Sequence, residues 1–473
     1  MNIDTKQIAD RIPEQRWFGW KDRALKGVDV IDVGVVNEGP PPVVLAIVRV
    51  RFDGGDALYQ LPLIVEEDGS TRDAFEDVER LKVFGGCLAH GTSLKGEHGT
   101  FRFTGPGLDP LSPPGQVSAR TLGAEQTNTS LVLDEQMIVK LFRRVDTGHN
   151  PDLELTRVLT ENGFDHTPPH LGELVYDGTL EGKDVQIDLC VAQQFLTDSI
   201  EGWSETLKRL HQLYDAIEDQ DVAEDRRFLV EERAGDLLTL VQDLGEVTAS
   251  LHVALSREEL DPEIAPEPIE KVDLEEWAAS ARSSLQSLLD DGVTELQDIA
   301  DKVDDRIERL GTVTEPGLKT RAHADYHLGQ VLLTNRGWMI LDFEGEPART
   351  LEERRAKTSP LKDVAGMLRS FNYAATAAMF ERAEVDSEEW KRLEPWAEAW
   401  ETLARERFIH GYLTRSHEGR FVPRDRDELM VMLDVFEIDK ALYEVGYERG
   451  HRPDWLRIPL HGIAKIVEVD KRT

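Results

Sequence analysis

The chain has 473 residues, too many for one ordinary core, which points to two or three domains or lobes. Apolar residues make up 40% of it and exclude wholesale disorder, while Asp plus Glu outnumber Lys plus Arg by 91 to 55, a net charge of −36 at pH 7. That charge repels phosphate backbones and anionic lipid, so nucleic-acid and membrane binding are not expected. Of the 55 basic residues only 17 are lysine, and the acids are spread along the chain. This pattern reads as a surface adapted to a very salty cytoplasm; an acidic protein of an ordinary cytosol is the alternative. Two cysteines, Cys87 and Cys190, make no disulfide framework and fit a reducing compartment. The longest apolar stretch, Val43–Val48, is far short of the roughly 20 residues of a membrane span, and Met1–Lys6 show no export signal. A soluble cytoplasmic protein is expected.

Val28–Val36, Val43–Phe52 and Ala57–Val65 alternate as strands, with turns at Pro40-Pro41-Pro42 and Gly54-Gly55. A helix is predicted near Arg72–Phe84. Thr100–Thr104, Leu131–Leu133, Met137–Phe142 and Val185–Phe195 continue the strand signal. Asn150-Pro151-Asp152 opens a helix over Pro151–Asn162, with proline in its first turn and an acid at its positive end. Beyond about residue 200 the period turns helical: Arg227–Leu255, Leu274–Leu310 with a break near Gly292, 388–412 and 427–449. One β-hairpin interrupts this half, Val331–Leu333 and Trp338–Leu341, turned through Asn335-Arg336-Gly337. The fold class is α+β, a sheet-rich front ahead of a helical back.

The chemistry-bearing segment surrounds that hairpin. Asp325 precedes Gln330 by five positions and Asp342 by seventeen, with His323 and His327 flanking Asp325 and Glu344 just beyond Asp342. Phosphoryl transfer from a nucleotide needs this inventory: a carboxylate to take the acceptor hydroxyl's proton, and a carboxylate with an amide oxygen to hold magnesium. Placing them on a loop and a hairpin fixes their positions, and positioning with charge stabilisation is most of the catalysis in this class. A single Asp in a loop is ordinarily a turn or cap residue; the joint spacing is what carries weight. The segment resembles the catalytic and metal-binding segments of kinase-like phosphotransferases of the aminoglycoside phosphotransferase type, whose His-Gly-Asp-x-His has Ala324 here in place of glycine. That departure matters only where the glycine needs a positive φ.

A kinase-like fold implies an upstream half-site. Thr127, Asn128, Thr129 and Ser130 stand between two strand-like segments and offer hydroxyls and backbone N–H groups to phosphates, although an ordinary hairpin turn fits them as well. Lys140 interrupts an apolar strand and is the only lysine between Lys95 and Lys183; a cation there needs a partner or a ligand. In kinase-like folds a strand lysine grips the α- and β-phosphates while a helix glutamate, here Glu154, holds its ammonium. Gln194 and Leu196 then form the hinge whose backbone meets adenine. Two acids and an amide are expected to converge with that lysine across a shared cleft.

Further segments resemble the maltokinases. These are Arg16-Trp17-Phe18-Gly19 with Lys21, Phe142 to Arg157, Leu341 to Pro347, Ser359 to Tyr373, and the tail from Lys440 to Glu448 with Arg452 to Trp455. The resemblance spans nearly the whole chain. It implies a bilobal protein-kinase-like fold: an N-terminal cap over 1–90, an N-lobe with nucleotide-binding elements over 91–200, and a helical C-lobe with catalytic loop and sugar site over 201–473. It implies ATP and Mg2+ as cofactors, and transfer to maltose giving maltose 1-phosphate, with a functional link to a trehalose–maltose isomerase. On that reading Asp325 deprotonates the anomeric hydroxyl, Gln330 and Asp342 carry magnesium, and the two histidines brace the loop. Asp363 and Arg369 anchor it from an apolar helix.

The sugar pocket is less marked. Aromatic faces with nearby charges suit a disaccharide, and Phe436, Lys440, Tyr443 and Tyr447 recur at helical spacing beside Glu444 and Glu448. Packing of the same stripe against the helical core is the alternative, and Trp203 and Trp455 stand at the same level. Glucosamine or another hexose as acceptor stays open, as does a non-catalytic regulatory module. A metal-hydrolase reading of His323-x-Asp325-x-His327 lacks a further clustered His or Cys.

Overall fold

The computed structural model describes residues 3–105, 117–122, 128–217 and 225–468. The chain divides into two compact units, Met1–Asp198 and Ser199–Thr473.

The first unit is built on two antiparallel sheets. One runs Leu25–Asn37, Val43–Phe52, Gly55–Val65 and Arg144–Val145, with Thr71–Asp73 also paired to Gly55–Val65. The unbroken apolar run Val43–Val48 is explained by burial on both faces. Val44, Ala46 and Val48 pack with Ile8, Ile12 and Phe18, whereas Val43, Leu45 and Ile47 join a second core with Leu131, Val139 and Leu189. The second sheet has seven strands in the order Ser93–Lys95, Gly99–Thr104, His170–Leu180, Lys183–Gln194, Met137–Phe142, Asn128–Leu133, Ala119–Leu122.

The helix expected near Arg72–Phe84 starts later and runs Val78–His90. Its first residues are claimed elsewhere: Thr71–Asp73 is a strand, and the Asp73 carboxylate takes the Phe75 N–H at 2.9 Å to open a short 3₁₀ turn. Gly91, at φ 59°, ends the helix in the left-handed conformation. The strand His170–Leu180 carries little β signal in its sequence because Gly172, Gly178, Glu173 and Asp177 dilute it. Polar groups tie the first 78 residues to the rest of this unit. Gln60 is buried and donates to Leu189 O at 3.1 Å, and the buried Asp32 accepts from Glu97 N, His98 N and the Tyr176 hydroxyl.

The second unit is mainly helical. Arg226–Leu255 and Glu388–Ser416 pack backbone against backbone: a Cβ at Gly245 would lie 2.2 Å from Phe408 O, and one at Gly411 2.1 Å from Gln242 O. The expected stretch Leu274–Leu310 is two helices, Lys271–Asp290 and Ala300–Glu308, parted at Gly292 with φ 82°. Leu361–Phe380 is buried along nearly its whole length, and Arg426–His451 packs on it. The hairpin Val331–Thr334 and Gly337–Ile340 pairs from Val331↔Ile340 to Thr334↔Gly337, and Ser199–Glu201 adds a third strand. Among the described residues no helix is long and apolar enough to cross a membrane. The α+β class stands: a sheet-rich N-terminal part ahead of a helical C-terminal part.

Candidate active site

In the second unit the loop carrying Asp325 is held by its neighbours' backbones. The buried Asp363, in the first turn of Leu361–Phe380, accepts His323 N at 2.8 Å and Ala324 N at 2.9 Å. His252 Nε2 donates to the same carboxylate at 3.1 Å while its Nδ1 faces the Tyr412 hydroxyl at 2.9 Å. Burial alone drives the Asp363 carboxyl up, but the His252 hydrogen bond and the charges of His252 and His323 outweigh it and hold it below its ordinary value. Ala324 sits at φ 66°, so the position does call for glycine's freedom and the alanine is strained there. Further along, a Cβ at Gly366 would lie 2.7 Å from Tyr326 O, so the missing side chain lets the loop lie on the helix. Leu328 N donates to Ser370 Oγ at 3.0 Å.

His323 is fully buried, donates through Nε2 to Leu341 O at 2.8 Å, and packs between Tyr326 and Phe343. It thereby ties the Asp325 loop to the strand end that carries Asp342. His327 Nδ1 accepts Gly329 N at 3.0 Å, and burial, against the pull of Asp325, pushes its pKa down. Both histidines brace the loop.

Gln330 and Asp342 come together. Gln330 takes Leu341 N on its carbonyl at 2.9 Å, and its Nε2 lies 3.3 Å from Asp342 Oδ2. Asp342 has φ 62°, a conformation rare for a residue other than glycine and one that clusters at functional sites. A carboxylate oxygen of Glu344 comes within 4.8 Å of one from Asp342. Two carboxylates and an amide, all hard oxygen donors once the amide turns, fit a small divalent cation.

Asp325 is partly exposed, its side chain at 24%, and Lys440 Nζ lies 3.6 Å from its Oδ1. The same ammonium is 4.0 Å from Glu346 Oε1 and 5.1 Å from the Tyr443 ring centroid. The Tyr443 hydroxyl is bonded to Glu346, and burial with that carboxylate pushes its pKa up. The sequence carries no mark of Glu346, which stands two residues beyond Glu344 and reads there as one more surface acid. Tyr447 is exposed and stacks on His451, with ring centroids 4.4 Å apart. Glu444 does not join this group. It is turned into the helical core, taking Arg369 Nε at 2.9 Å and Nη2 at 2.8 Å. Arg369 therefore joins two helices and leaves the loop to Asp363. Phe436 and Trp277 flank Lys362 at 5.5 and 5.4 Å, and Trp455 packs on Phe380 and Tyr373.

In the first unit, Lys140 lies in the strand Met137–Phe142 with its Nζ 3.1 Å from Asp152 Oδ2. The side chains are 14% and 1% exposed, so the pair is largely out of water. Asp152 stands two residues before the expected Glu154 in the same helix, Pro151–Glu161, and Glu154 is buried in the same turn. The signal for Asp152 was present as the helix-opening acid after Asn150-Pro151. Asn128, Thr129 and Ser130 belong to the strand Asn128–Leu133, paired to Phe142, Leu141 and Lys140, so the loop read over them is shorter than expected. Thr129 Oγ1 accepts Arg143 Nε at 2.7 Å, and Ser130 is fully buried. Thr127 lies outside the described residues. At the expected hinge, Gln194 N donates to Pro169 O at 3.1 Å and Phe195 N to Gln136 O at 2.8 Å, so both N–H groups are engaged within the unit; Leu196 follows, half-buried.

Residues 12–78 match the model of the maltokinase N-terminal cap domain. Among curated proteins, a glucosamine kinase of Mycolicibacterium smegmatis is 24% identical over 348 residues, 72% of this chain and 77% of that protein. A glucosamine kinase of Streptacidiphilus jiangxiensis is 24% identical over 353 residues, 72% and 71%. The solved structure of a glucosamine kinase in complex with glucosamine, ADP and inorganic phosphate matches with a TM-score of 0.69 at 18% identity, over 98% of this chain and 99% of that one. Another crystal form gives 0.70, over 98% and 100%. The fold is thus that of the solved glucosamine kinase structures, and residues 12–78 resemble the maltokinase N-terminal cap domain.

Proposed function

We propose that the protein is an ATP-dependent sugar kinase that transfers the γ-phosphate to the anomeric hydroxyl of maltose, giving maltose 1-phosphate. The observation that carries this reading is the clamp of Asp363 on the two residues before Asp325, beside the Gln330–Asp342 contact. A partly exposed carboxylate on a rigid loop suits a proton acceptor, since general bases must meet their proton within hydrogen-bond reach. Asp325 accepts the proton of the attacking hydroxyl; the sugar oxygen bonds to the γ-phosphorus as the bond to the bridging oxygen breaks, and ADP leaves. Lys140, steadied by Asp152, holds phosphate charge. Asp342, Gln330 and Glu344 would hold Mg2+, which supplies charge neutralisation at the phosphates.

The cap over 1–90, the N-lobe over 91–200 and the C-lobe over 201–473 are the divisions that go with this reading, and a cytoplasmic setting with a link to a trehalose–maltose isomerase belongs to it too. A glucosamine kinase of the same fold is the alternative reading, supported by the 24%-identical relatives of that activity. Incubation with ATP, Mg2+ and maltose tests the proposal: phosphorylation at the anomeric oxygen removes the reducing end, so reducing sugar falls in step with ADP formed. ADP formation with the reducing end intact rejects the anomeric acceptor.

A further inference from the structure

The acceptor side of the proposed site carries a charge asymmetry. Lys440 Nζ stands 3.6 Å from Asp325 Oδ1 and 4.0 Å from Glu346 Oε1. The neighbouring groups are already engaged: Glu346 Oε2 takes Arg349 Nε at 3.2 Å, Tyr443 bonds to Glu346, and Glu444 is locked on Arg369. Among the described residues of this unit, Lys440 is the cation at ion-pair distance from Asp325, and 31% of its side chain is exposed.

A sugar whose hydroxyl meets Asp325 Oδ1 has the substituent on its adjacent ring carbon within reach of an ammonium that stands 3.6 Å from the same oxygen. A hydroxyl there accepts a hydrogen bond from Nζ, which has donors only. A substrate ammonium has no acceptor to offer, meets a like charge, and must compete for carboxylates that Lys440 already holds. We infer that Lys440 is a specificity-determining residue that admits uncharged sugars and rejects those with an ammonium beside the reacting hydroxyl. The inference rests on the kinase reading above and deepens it by naming the substrate class. The repulsive element does the discrimination, as in other interfaces that exclude near-identical ligands.

Glucose and glucosamine differ in that one substituent, so their equilibrium binding at pH 6 isolates it. The full-length wild type is expected to bind glucose roughly tenfold or more tighter than glucosamine. Lys440→Met should reduce that ratio to within about threefold or invert it, and Lys440→Arg should keep it. Equal or tighter binding of glucosamine by the wild type, an unchanged ratio in Lys440→Met, or no binding of either sugar overturns the inference. Turnover is scored separately. A ratio that moves as expected without phosphate transfer to any sugar rejects the kinase reading alone, and transfer with an unmoved ratio rejects Lys440 alone.

Discussion

Ala324 donates its backbone N–H to Asp363 Oδ1 at 2.9 Å while holding φ 66°, so one hydrogen bond to a buried carboxylate keeps a strained residue next to the proposed base. Left-handed backbone costs an alanine about 1–2 kcal/mol, and glycine in the unfolded chain gives back about 0.4–1. Ala324→Gly should therefore raise stability by about 0.5–1 kcal/mol in denaturant unfolding. A loss of stability would show that the loop keeps its shape for another reason.

The buried Asp363 carboxylate accepts two loop N–H groups and His252 Nε2, and the bonds from His323 and His252 are away from water. Asp363→Asn leaves buried donors without acceptors and should cost about 3 kcal/mol or more. The pH dependence has a fixed sign. A carboxyl whose folded pKa is depressed adds stability that is complete above its unfolded value, about 3.9, and is lost as pH falls through the lower folded value. Stability measured below pH 4 should fall more steeply in the wild type than in Asp363→Asn; equal slopes would remove Asp363 as the cause.

Asp342 and Glu344 bring carboxylate oxygens within 4.8 Å of one another. Asp342→Asn should weaken Mg2+-dependent nucleotide binding tenfold or more while leaving metal-free nucleotide binding within about threefold. Calorimetric titration with and without Mg2+ checks this, and equal losses in both conditions would assign Asp342 a role in folding only.

With 91 acids against 55 basic residues, self-repulsion destabilises the compact state at low salt. Raising KCl to molar levels should lift the melting temperature by about 5 °C, roughly 2 kcal/mol for units of this size. A melt indifferent to KCl rejects the salt-adapted reading.

Much of this architecture is legible in the sequence because its signals are local. Val43–Phe52 and Met137–Phe142 were bounded correctly by alternation and turn residues, and the hairpin around Asn335-Arg336-Gly337 by its punctuation. The spacing of Asp325, Gln330 and Asp342 survives folding because a loop and one hairpin connect them. What was not legible depends on distant partners. Glu444 follows a helical stripe that looks like a binding face, yet the buried Arg369 from another helix claims it. Asp152 and Glu154 share one helical turn, so spacing alone did not say which carboxylate meets Lys140 at 3.1 Å. His252, within a long amphipathic run, carries no sequence mark of its bond to Asp363.

The proton acceptor is the centre of the proposed chemistry, and Asp325→Asn tests it most directly. With maltose, ATP and Mg2+, the wild type should form maltose 1-phosphate, and the variant's kcat should fall by about 100-fold to 10,000-fold while its affinity for ATP stays within about threefold. Transfer by Asp325→Asn at the wild-type rate would contradict the role given to this residue.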